Sequence, residues 1–296
     1  MPITCEFTYL KPKDLPAAFE MLAHYGNQAA ILAGGTDLLV WMKEGKCAPQ
    51  AVVDLKGIED LHRLEIRSGA LFIGPCVTFT EIIESPVVRN ELPLLWECSR
   101  TVASLGVRNR ATLAGNICSA VPSLDGAPAL LDYDAVVSME NAAGRREIPI
   151  SEWFTCPKRT AIRAGELLAG ITIPLPQQKT GACYVKLGRY RGEDLAQVGV
   201  GILALEDHEY RVAFCAVGPI PTRARKIESA LNGHSLTVAA IAAAQALIPE
   251  EIAPIADIRA SKEYRMHMAR IMLARGLETA VARMAGGGPA YGESVI

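Results

Sequence analysis

A pair of glycines, Gly34 and Gly35, stands between a short apolar run and a helical pattern, and this junction constrains the fold more than any other feature. Residues 29–33 are apolar, as in a strand covered on both faces, and residues 38–44 have helical spacing. Glycines at such a junction let backbone N–H groups approach a phosphate with no Cβ in the way. Thr36 is placed to cap the helix and to donate to a phosphate oxygen. The junction therefore indicates either a phosphate-binding loop or an ordinary tight turn.

The residues around this junction predict a first unit, residues 1–57, of alternating strands and helices. Residues 4–10 and 51–55 favour strands, and Asp14 is a predicted N-cap for a helix that Gly26 ends. The order strand, helix, strand, helix, strand is typical of a small sheet with helices packed on it.

The next stretch, residues 58–176, mixes hairpins with helices. Hairpins are predicted over 63–74 and 135–150, helices after the capping box at Thr78 and over 92–103, and a strand over 167–173. Residues 106–128 show little regular pattern, and a stretch of that length inside a compact domain is usually functional. It places donors, Asn109, Thr112, Asn116 and Ser123, among small residues. That pattern suits an extended polar ligand, with a plain surface loop as the alternative.

A linker over residues 174–180 separates a third unit. Three strands are predicted over 182–187, 198–205 and 210–217, followed by three helices over 222–232, 237–247 and 261–283. This order predicts an α+β domain over residues 181–286 with a three-stranded sheet, and a loose Gly-rich tail over 287–296. Lys186 and Arg189 lie three residues apart at the end of the first of these strands, where they either face an anionic ligand or are solvated charges.

Composition excludes several classes of function. With 30 basic and 32 acidic residues the net charge is −2, which leaves no electrostatic footprint for nucleic acid. The longest apolar run, residues 237–248, falls short of the roughly 20 residues of a membrane helix, and no secretory signal is visible. The eight cysteines form no CxxC pair and the five histidines are scattered, so we expect reduced thiols in the cytoplasm and no metal site. No nucleophile–base pair or Walker sequence is present, which leaves a nucleotide-cofactor hypothesis.

Four segments in this order resemble one known family. They are the run from Ala33 to Asp37, the run from Arg108 to Ile117 together with Asp125, the run from Lys186 to Arg189, and the run from Arg259 to Arg265. The chain resembles the FAD-binding medium subunit of the molybdenum hydroxylases, the xanthine dehydrogenase and carbon monoxide dehydrogenase group. It looks most like the bacterial three-subunit xanthine dehydrogenase type, and the resemblance covers nearly the whole chain.

The resemblance implies a fold and a function. The first two units would form the two-subdomain FAD-binding fold of vanillyl-alcohol oxidase and p-cresol methylhydroxylase, and the third would be a carbon monoxide dehydrogenase flavoprotein C-terminal domain. FAD would be held non-covalently. A small partner subunit would carry two [2Fe–2S] clusters and a large one molybdopterin. This chain would pass electrons from those clusters through FAD to NAD⁺ or another acceptor, during oxidative hydroxylation of a purine, an aldehyde or an N-heterocycle.

Site residues are also carried over by the resemblance. Gly34, Gly35, Thr36 and Asp37, with their neighbours Ala33 and Leu38, would hold the pyrophosphate. The second phosphate and the ribityl chain would be lined by Thr112, Gly115 and Asn116, with Asp125 bonding sugar or ribityl hydroxyls. Lys186 would sit near the isoalloxazine, where a cation stabilises reduced flavin.

One position departs from the family, which commonly has two glycines before the asparagine. Here Ala114 precedes Gly115, and a Cβ there either crowds a backbone that needs positive φ or is tolerated. Two other functions stay open: a self-contained flavin oxidase or reductase on the same fold, and an assembly subunit that has lost FAD, which Ala114 alone favours.

Overall fold

The computed structural model describes residues 2–190 and 193–296, and it begins with a small parallel sheet. The sheet has the order β1-β3-β2, and its strands alternate with two helices. The bounds are β1 Thr8–Leu10, α1 Leu15–Tyr25, β2 Ala29–Leu32, α2 Leu38–Lys43 and β3 Ala51–Asp54. The predicted start and end of α1 are confirmed, since the Asp14 side chain accepts a hydrogen bond from Ala17 N at 2.9 Å and Gly26 has φ 52°.

The second sheet is antiparallel and has the order β4-β5-β10-β6-β7. A separate two-stranded ribbon is made by β8 and β9. The bounds are β4 Leu64–Arg67, β5 Ala70–Ile73, β6 Val136–Asn141, β7 Gly144–Pro149, β8 Phe154–Cys156, β9 Arg159–Thr160 and β10 Leu167–Pro174. Both predicted hairpins are therefore confirmed.

Six short helices lie between β5 and β6. They are α3 Phe79–Glu84, α4 Pro86–Glu91, α5 Pro93–Arg100, α6 Leu105–Arg108, α7 Leu113–Ser119 and α8 Ala127–Asp132. The predicted irregular loop over 106–128 is thus wrong, because it contains most of α6, all of α7 and the start of α8. These helices have four, seven and six residues, too few for an apolar period to be visible in the sequence.

The third sheet is antiparallel with the order β11-β12-β13-β14. The three predicted strands are confirmed, and the two-residue β14 adds a fourth that the sequence analysis missed. Three helices follow as predicted, the last of which packs on β11 and β12. The bounds are β11 Thr180–Leu187, β12 Val198–Leu205, β13 Glu209–Cys215, β14 Thr222–Arg223, α9 Arg225–Leu231, α10 Val238–Glu251 and α11 Lys262–Met284.

A buried ion pair joins the third sheet's last helix to the helical region before it. Arg283 Nη1 of α11 donates to both carboxylate oxygens of Glu97 in α5, at 3.0 and 3.1 Å. The predicted loose tail is held at this pair, because Arg283 also donates to the carbonyls of Pro289 and Ala290 and the Gly292 N–H donates to Glu97 at 2.7 Å. The prediction of a loose tail is wrong because Glu97, one of the residues that hold the tail, lies far from it in the sequence.

Two further findings bear on function. Within residues 2–190 and 193–296 no helix is both long and apolar enough to cross a membrane. In the same residues, no three His, Cys, Asp or Glu side chains come together in a way that could hold a metal ion.

Candidate functional site

A cavity of about 540 Å³ lies between the loop after β2, the α5–α7 region and the turn after β11. It has the size of a small-molecule or cofactor site. Most of its walls come from four parts of the chain, residues 30–38, 102–125, 160–168 and 193–195, and Trp41, Leu55 and Pro75 complete the lining. Ten of the eleven predicted site residues line it. They are Ala33, Gly34, Gly35, Thr36, Asp37, Leu38, Thr112, Gly115, Asn116 and Asp125.

The two predicted loops touch each other at Gly34. A Cβ on Gly34 would lie 2.2 Å from the carbonyl oxygen of Arg110 and 2.8 Å from Ala111 Cα. No side chain fits in that space, so glycine here lets the backbones of the two loops meet at one wall of the cavity. The contact explains why the sequence carries glycine at a position whose φ does not require it.

Gly35 is the residue that turns the chain from β2 toward α2. Its φ is 78°, in the left-handed region that favours glycine. The N–H groups of Gly35, Thr36 and Asp37 have no acceptor among the residues that the structure describes, whereas the Gly35 carbonyl accepts from Leu39 N at 3.0 Å. Successive unpaired N–H groups beside a cavity are suited to a phosphate.

The predicted cap at Thr36 is wrong. Helix α2 begins at Leu38, so its N-cap is Asp37, which has αR backbone angles and makes no side-chain cap bond. With six residues, α2 also supplies only a short dipole, so the loop's own N–H groups are the main attraction for an anion. Burial raises the pKa of the Asp37 carboxyl.

Helix α7 places the second predicted segment. The Thr112 side chain accepts from Gly115 N at 2.9 Å, which makes Thr112 the N-cap of α7. Ala114 lies inside this helix and is not among the residues with positive φ, so its Cβ meets no backbone strain. Asn116 Oδ1 is buried and accepts no hydrogen bond, although buried amide oxygens are rarely left without a donor. This oxygen lies against Gly126, where an added Cβ would be 3.0 Å from it, while Asn116 as a residue lines the cavity.

Asp125 and Lys186 meet at the edge of the cavity. Lys186 Nζ donates to Asp125 Oδ2 at 2.7 Å and to the Thr101 carbonyl at 2.8 Å, and Tyr184 Oη donates to Asp125 Oδ1 at 2.7 Å. Asp125 lines the cavity, whereas Lys186, the eleventh predicted residue, stands behind Asp125 and is not part of the lining. Burial raises the pKa of Asp125, and the adjacent Lys186 cation and Tyr184 hydroxyl oppose that rise.

Arg189 and the last predicted segment have structural partners. The N–H of Arg189 donates to Asp194 Oδ2 at 2.6 Å, which ties the turn after β11 to the residues that reach the cavity. Arg265 is buried and donates to the carbonyls of Gln197 and Ala216 and to Asp257. Arg265, in the first turn of α11, thus holds neighbouring loops together, and none of residues 259–265 lines the cavity.

Apolar lining residues were missed by the sequence analysis. Val102, Ala103 and Val107 line the cavity from the α5–α6 region, and Ile162, Leu167, Leu168 and Leu195 line it elsewhere. No local signal could have found them, because apolar residues at such positions look like ordinary core.

The residues present fit a dinucleotide cofactor with an extended, phosphate-containing chain. The Gly35 turn carries N–H groups with no acceptor among the described residues, Asn116 and the Asp125 carboxylate add polar groups, and apolar side chains line the rest. Because all of these residues line one cavity, a single elongated ligand could contact them together.

Comparison with known protein families gives two matches along the chain. Residues 5–176 match the model described as the FAD binding domain in molybdopterin dehydrogenase. Residues 182–280 match the CO dehydrogenase flavoprotein C-terminal domain.

Similar proteins extend over the full length. The xanthine dehydrogenase FAD-binding subunit of Escherichia coli O157:H7 is 30% identical over 94% of this chain and 97% of its own. The carbon monoxide dehydrogenase medium chain of Hydrogenophaga pseudoflava is 31% identical, and a solved structure of that enzyme matches with a TM-score of 0.90, covering 94% of this chain and 98% of the other. A quinoline 2-oxidoreductase structure from Pseudomonas putida 86 is 26% identical with a TM-score of 0.89, covering 97% and 99% of the two chains.

Proposed function

Because the chain belongs to the FAD-binding medium subunits of the molybdenum hydroxylases, oxidoreductases of the xanthine and carbon monoxide dehydrogenase group, we propose that its cavity holds FAD non-covalently. One observation carries the proposal: the Gly35 turn, whose N–H groups have no acceptor among the described residues, lines the same cavity as Thr112, Asn116 and Asp125. Bound FAD would supply the chemistry of electron and hydride transfer.

The residues divide the work of binding between backbone and side chains. The N–H groups of Gly35, Thr36 and Asp37 would hold the pyrophosphate, with Gly34 keeping the second loop against them. The Asp37 carboxylate would repel a diphosphate, so its phosphate contact is assigned to its N–H. On the second segment, Thr112 and Gly115 shape the first turn of α7, and Asn116 presents its amide to the ligand.

Asp125 would accept from sugar or ribityl hydroxyls with the lone pairs that Tyr184 and Lys186 leave free. Lys186 would act on the isoalloxazine through its ion pair with Asp125, since its ammonium group is 2.7 Å from this carboxylate, which lines the cavity.

The complex would use this chain as its electron-transfer subunit. It would accept electrons from [2Fe–2S] clusters on a small partner subunit and pass them to NAD⁺ or another acceptor. A large molybdopterin subunit would hydroxylate a purine, an aldehyde or an N-heterocycle. The relatives named above are subunits of dehydrogenases, which supports such partners. We place the assembly in the cytoplasm, and we keep the division into residues 1–57, 58–176 and 181–286 as part of the same proposal.

Two other functions are separated by simple tests. A self-contained flavin oxidase or reductase would turn over a substrate as the lone chain, whereas an electron-transfer subunit would need its partners. The hypothesis of an assembly subunit without FAD rests on one residue, Ala114, whose Cβ was expected to crowd the backbone. The helical backbone at Ala114 removes that argument.

The first experiment is a visible absorption spectrum of the purified chain, followed by acid extraction and identification of the chromophore. We expect one FAD per chain, released by acid. A colourless chain that also fails to bind added FAD would refute the proposed function. Covalently retained flavin, or turnover by the lone chain, would favour the self-contained enzyme.

A further inference from the structure

Tyr184 is a buried phenol that no predicted motif includes, yet it touches the candidate site. It lies two residues before Lys186 on β11, so both side chains point to the same face of the sheet. Each takes one oxygen of the same carboxylate: Tyr184 Oη is 2.7 Å from Asp125 Oδ1, and Lys186 Nζ is 2.7 Å from Oδ2.

The neighbouring strand leaves room for this phenol. Gly199 of β12 pairs with Lys186, and a Cβ on Gly199 would lie 2.7 Å from Tyr184 Oη and 2.4 Å from Cys215 Sγ. The hydroxyl therefore occupies a space that any other residue at 199 would fill. The Thr101 carbonyl accepts from Lys186 at 2.8 Å and so gives that ammonium group a second acceptor besides Asp125.

The hydrogen bonds from Tyr184 and Lys186 to Asp125 determine the net charge beside the cavity. An ionised Asp125 and Lys186 form a neutral pair, and a hydrogen bond donated to a buried carboxylate favours its ionised form. Without the phenol, protonation of Asp125 becomes easier, and the charge of Lys186 is then uncompensated. A net positive charge favours a ligand that gains electrons.

Other ionisable groups face this carboxylate. Cys98 of α5 and Cys215 of β13 lie close to it, and burial raises the pKa of both thiols, so they stay neutral. Burial also raises the pKa of the Tyr184 phenol well above its usual value. Asp37, Glu193 and Asp194 line the same cavity as Asp125. Lys186 is the one cation within hydrogen-bonding distance of Asp125 among the described residues.

We propose that Tyr184 is a positioning residue for the flavin site: by binding Asp125 it keeps the Asp125–Lys186 pair neutral and so sets the reduction potential of bound FAD. The inference rests on the proposed function, since it concerns the same cavity. Tyr184 itself is not among the residues that line the cavity, and it reaches the site through Asp125, which is.

The test is the midpoint potential of FAD bound to the chain, measured by reductive titration against reference dyes at several pH values. In Tyr184→Phe we expect the reduced form to gain at least tenfold over the oxidised form, which is about 30 mV for a two-electron couple. The rise is expected to grow as pH falls, because protonation of Asp125 exposes the charge of Lys186. Tyr133→Phe is the matched control, because Tyr133 is another buried phenol and its hydroxyl accepts from Leu94 N.

The variant Asp125→Asn decides whether Tyr184 acts through Asp125. We expect Asp125→Asn to raise the potential and Tyr184→Phe to add nothing in that background. An unchanged potential in Tyr184→Phe, or an equal effect with and without Asp125, would overturn the inference.

Two further outcomes are informative. If Tyr184→Phe does not fold, Asp125→Asn and Lys186→Met test the charge balance. Asp125→Asn must raise the potential of bound FAD and Lys186→Met must lower it. Equal potentials in the two variants would overturn the inference. If the unmodified chain binds no FAD, the proposed function itself fails, and that result is distinct from a failure of this inference.

Discussion

At the scale of single residues, the cavity depends on backbone conformations with positive φ, which few residue types adopt readily. Gly35 has φ 78°, and three alanines also have positive φ: Ala103, which lines the cavity, Ala120, which stands between two lining residues, and Ala216, at 39°, 45° and 65°. Non-glycine residues in this region carry strain, which concentrates at functional sites. The sequence predicted the glycines because their chemistry is local. It could not predict the alanines, whose backbone is fixed by contacts such as the bond from Ala216 N to the Pro122 carbonyl.

Gly34→Ala is expected to separate the two loops without disturbing the rest of the chain. Its Cβ would stand 2.2 Å from the Arg110 carbonyl oxygen, so the backbone must move. We expect the Kd for FAD to rise at least tenfold, about 1.4 kcal/mol, in a fluorescence titration of the apoprotein. Gly106→Ala is the control, since nothing lies within 4 Å of its added Cβ and the affinity should not change. Equal affinities in both variants would show that the loop contact is not needed for binding.

Ala114→Gly tests whether the departure from the family's two glycines matters. Ala114 is helical and buried, so glycine gains no backbone freedom that the site needs. We expect unchanged FAD affinity, and a loss of about 1 kcal/mol in the free energy of unfolding from the lower helix propensity of glycine. Urea unfolding and the same fluorescence titration measure the two effects. A large gain in affinity would instead mean that Ala114 hinders FAD.

At the scale of elements, local signals succeeded where a helix or strand was long or capped. The capping box at Thr78 and the Asp14 cap were predicted from the sequence and both are present. Helices α6, α7 and α8 were missed, because four to seven residues cannot display a period. Ser104 and Thr112 cap α6 and α7 in the structure, but the sequence analysis did not identify either residue as a cap.

Thr112 joins the start of α7 to the cavity, so its substitution should affect stability and binding together. Thr112→Val removes the oxygen that accepts from Gly115 N, and we expect a loss of about 1 kcal/mol in unfolding free energy. Weaker FAD binding should accompany it, because the Gly115 N–H loses its acceptor and the turn shifts. Thr112→Ser keeps the oxygen and should restore both properties. If Thr112→Ser behaves like Thr112→Val, the methyl group and not the cap would be responsible.

At the scale of the whole molecule, the site exists only because distant parts of the chain meet. The Gly34 loop, helix α7 and residues 193–195 belong to three different regions of the sequence, and no local pattern records their contact. A resemblance that covers the chain in register predicted the meeting, whereas the residues alone predicted two separate loops. A separate long-range contact, the packing of α8 against β12 and β13, buries Asp132 at the end of α8.

Asp132 is buried with neither carboxylate oxygen accepting a hydrogen bond from a described residue. Burial raises its pKa well above the usual value; Glu228 and Asp134 add to the rise, while Arg223 and Arg211 oppose it. A carboxyl whose folded-state pKa is raised binds its proton more tightly in the native state than in the unfolded state. Stability therefore falls as pH rises above about 4, the unfolded-state value, and continues to fall until the native carboxyl ionises.

Asp132→Asn should remove this pH dependence, because the amide has nearly the same shape and does not ionise. We expect the free energy of unfolding of the unmodified chain to decline relative to the variant by up to about 1.4 kcal/mol per pH unit above about pH 4. Urea unfolding at a series of pH values measures the difference, with the exposed Asp60→Asn as the control. A difference that does not change with pH would mean that Asp132 is ionised in the native state. In that case Arg223 and Arg211 would supply enough charge to hold α8 against the third sheet through a buried carboxylate.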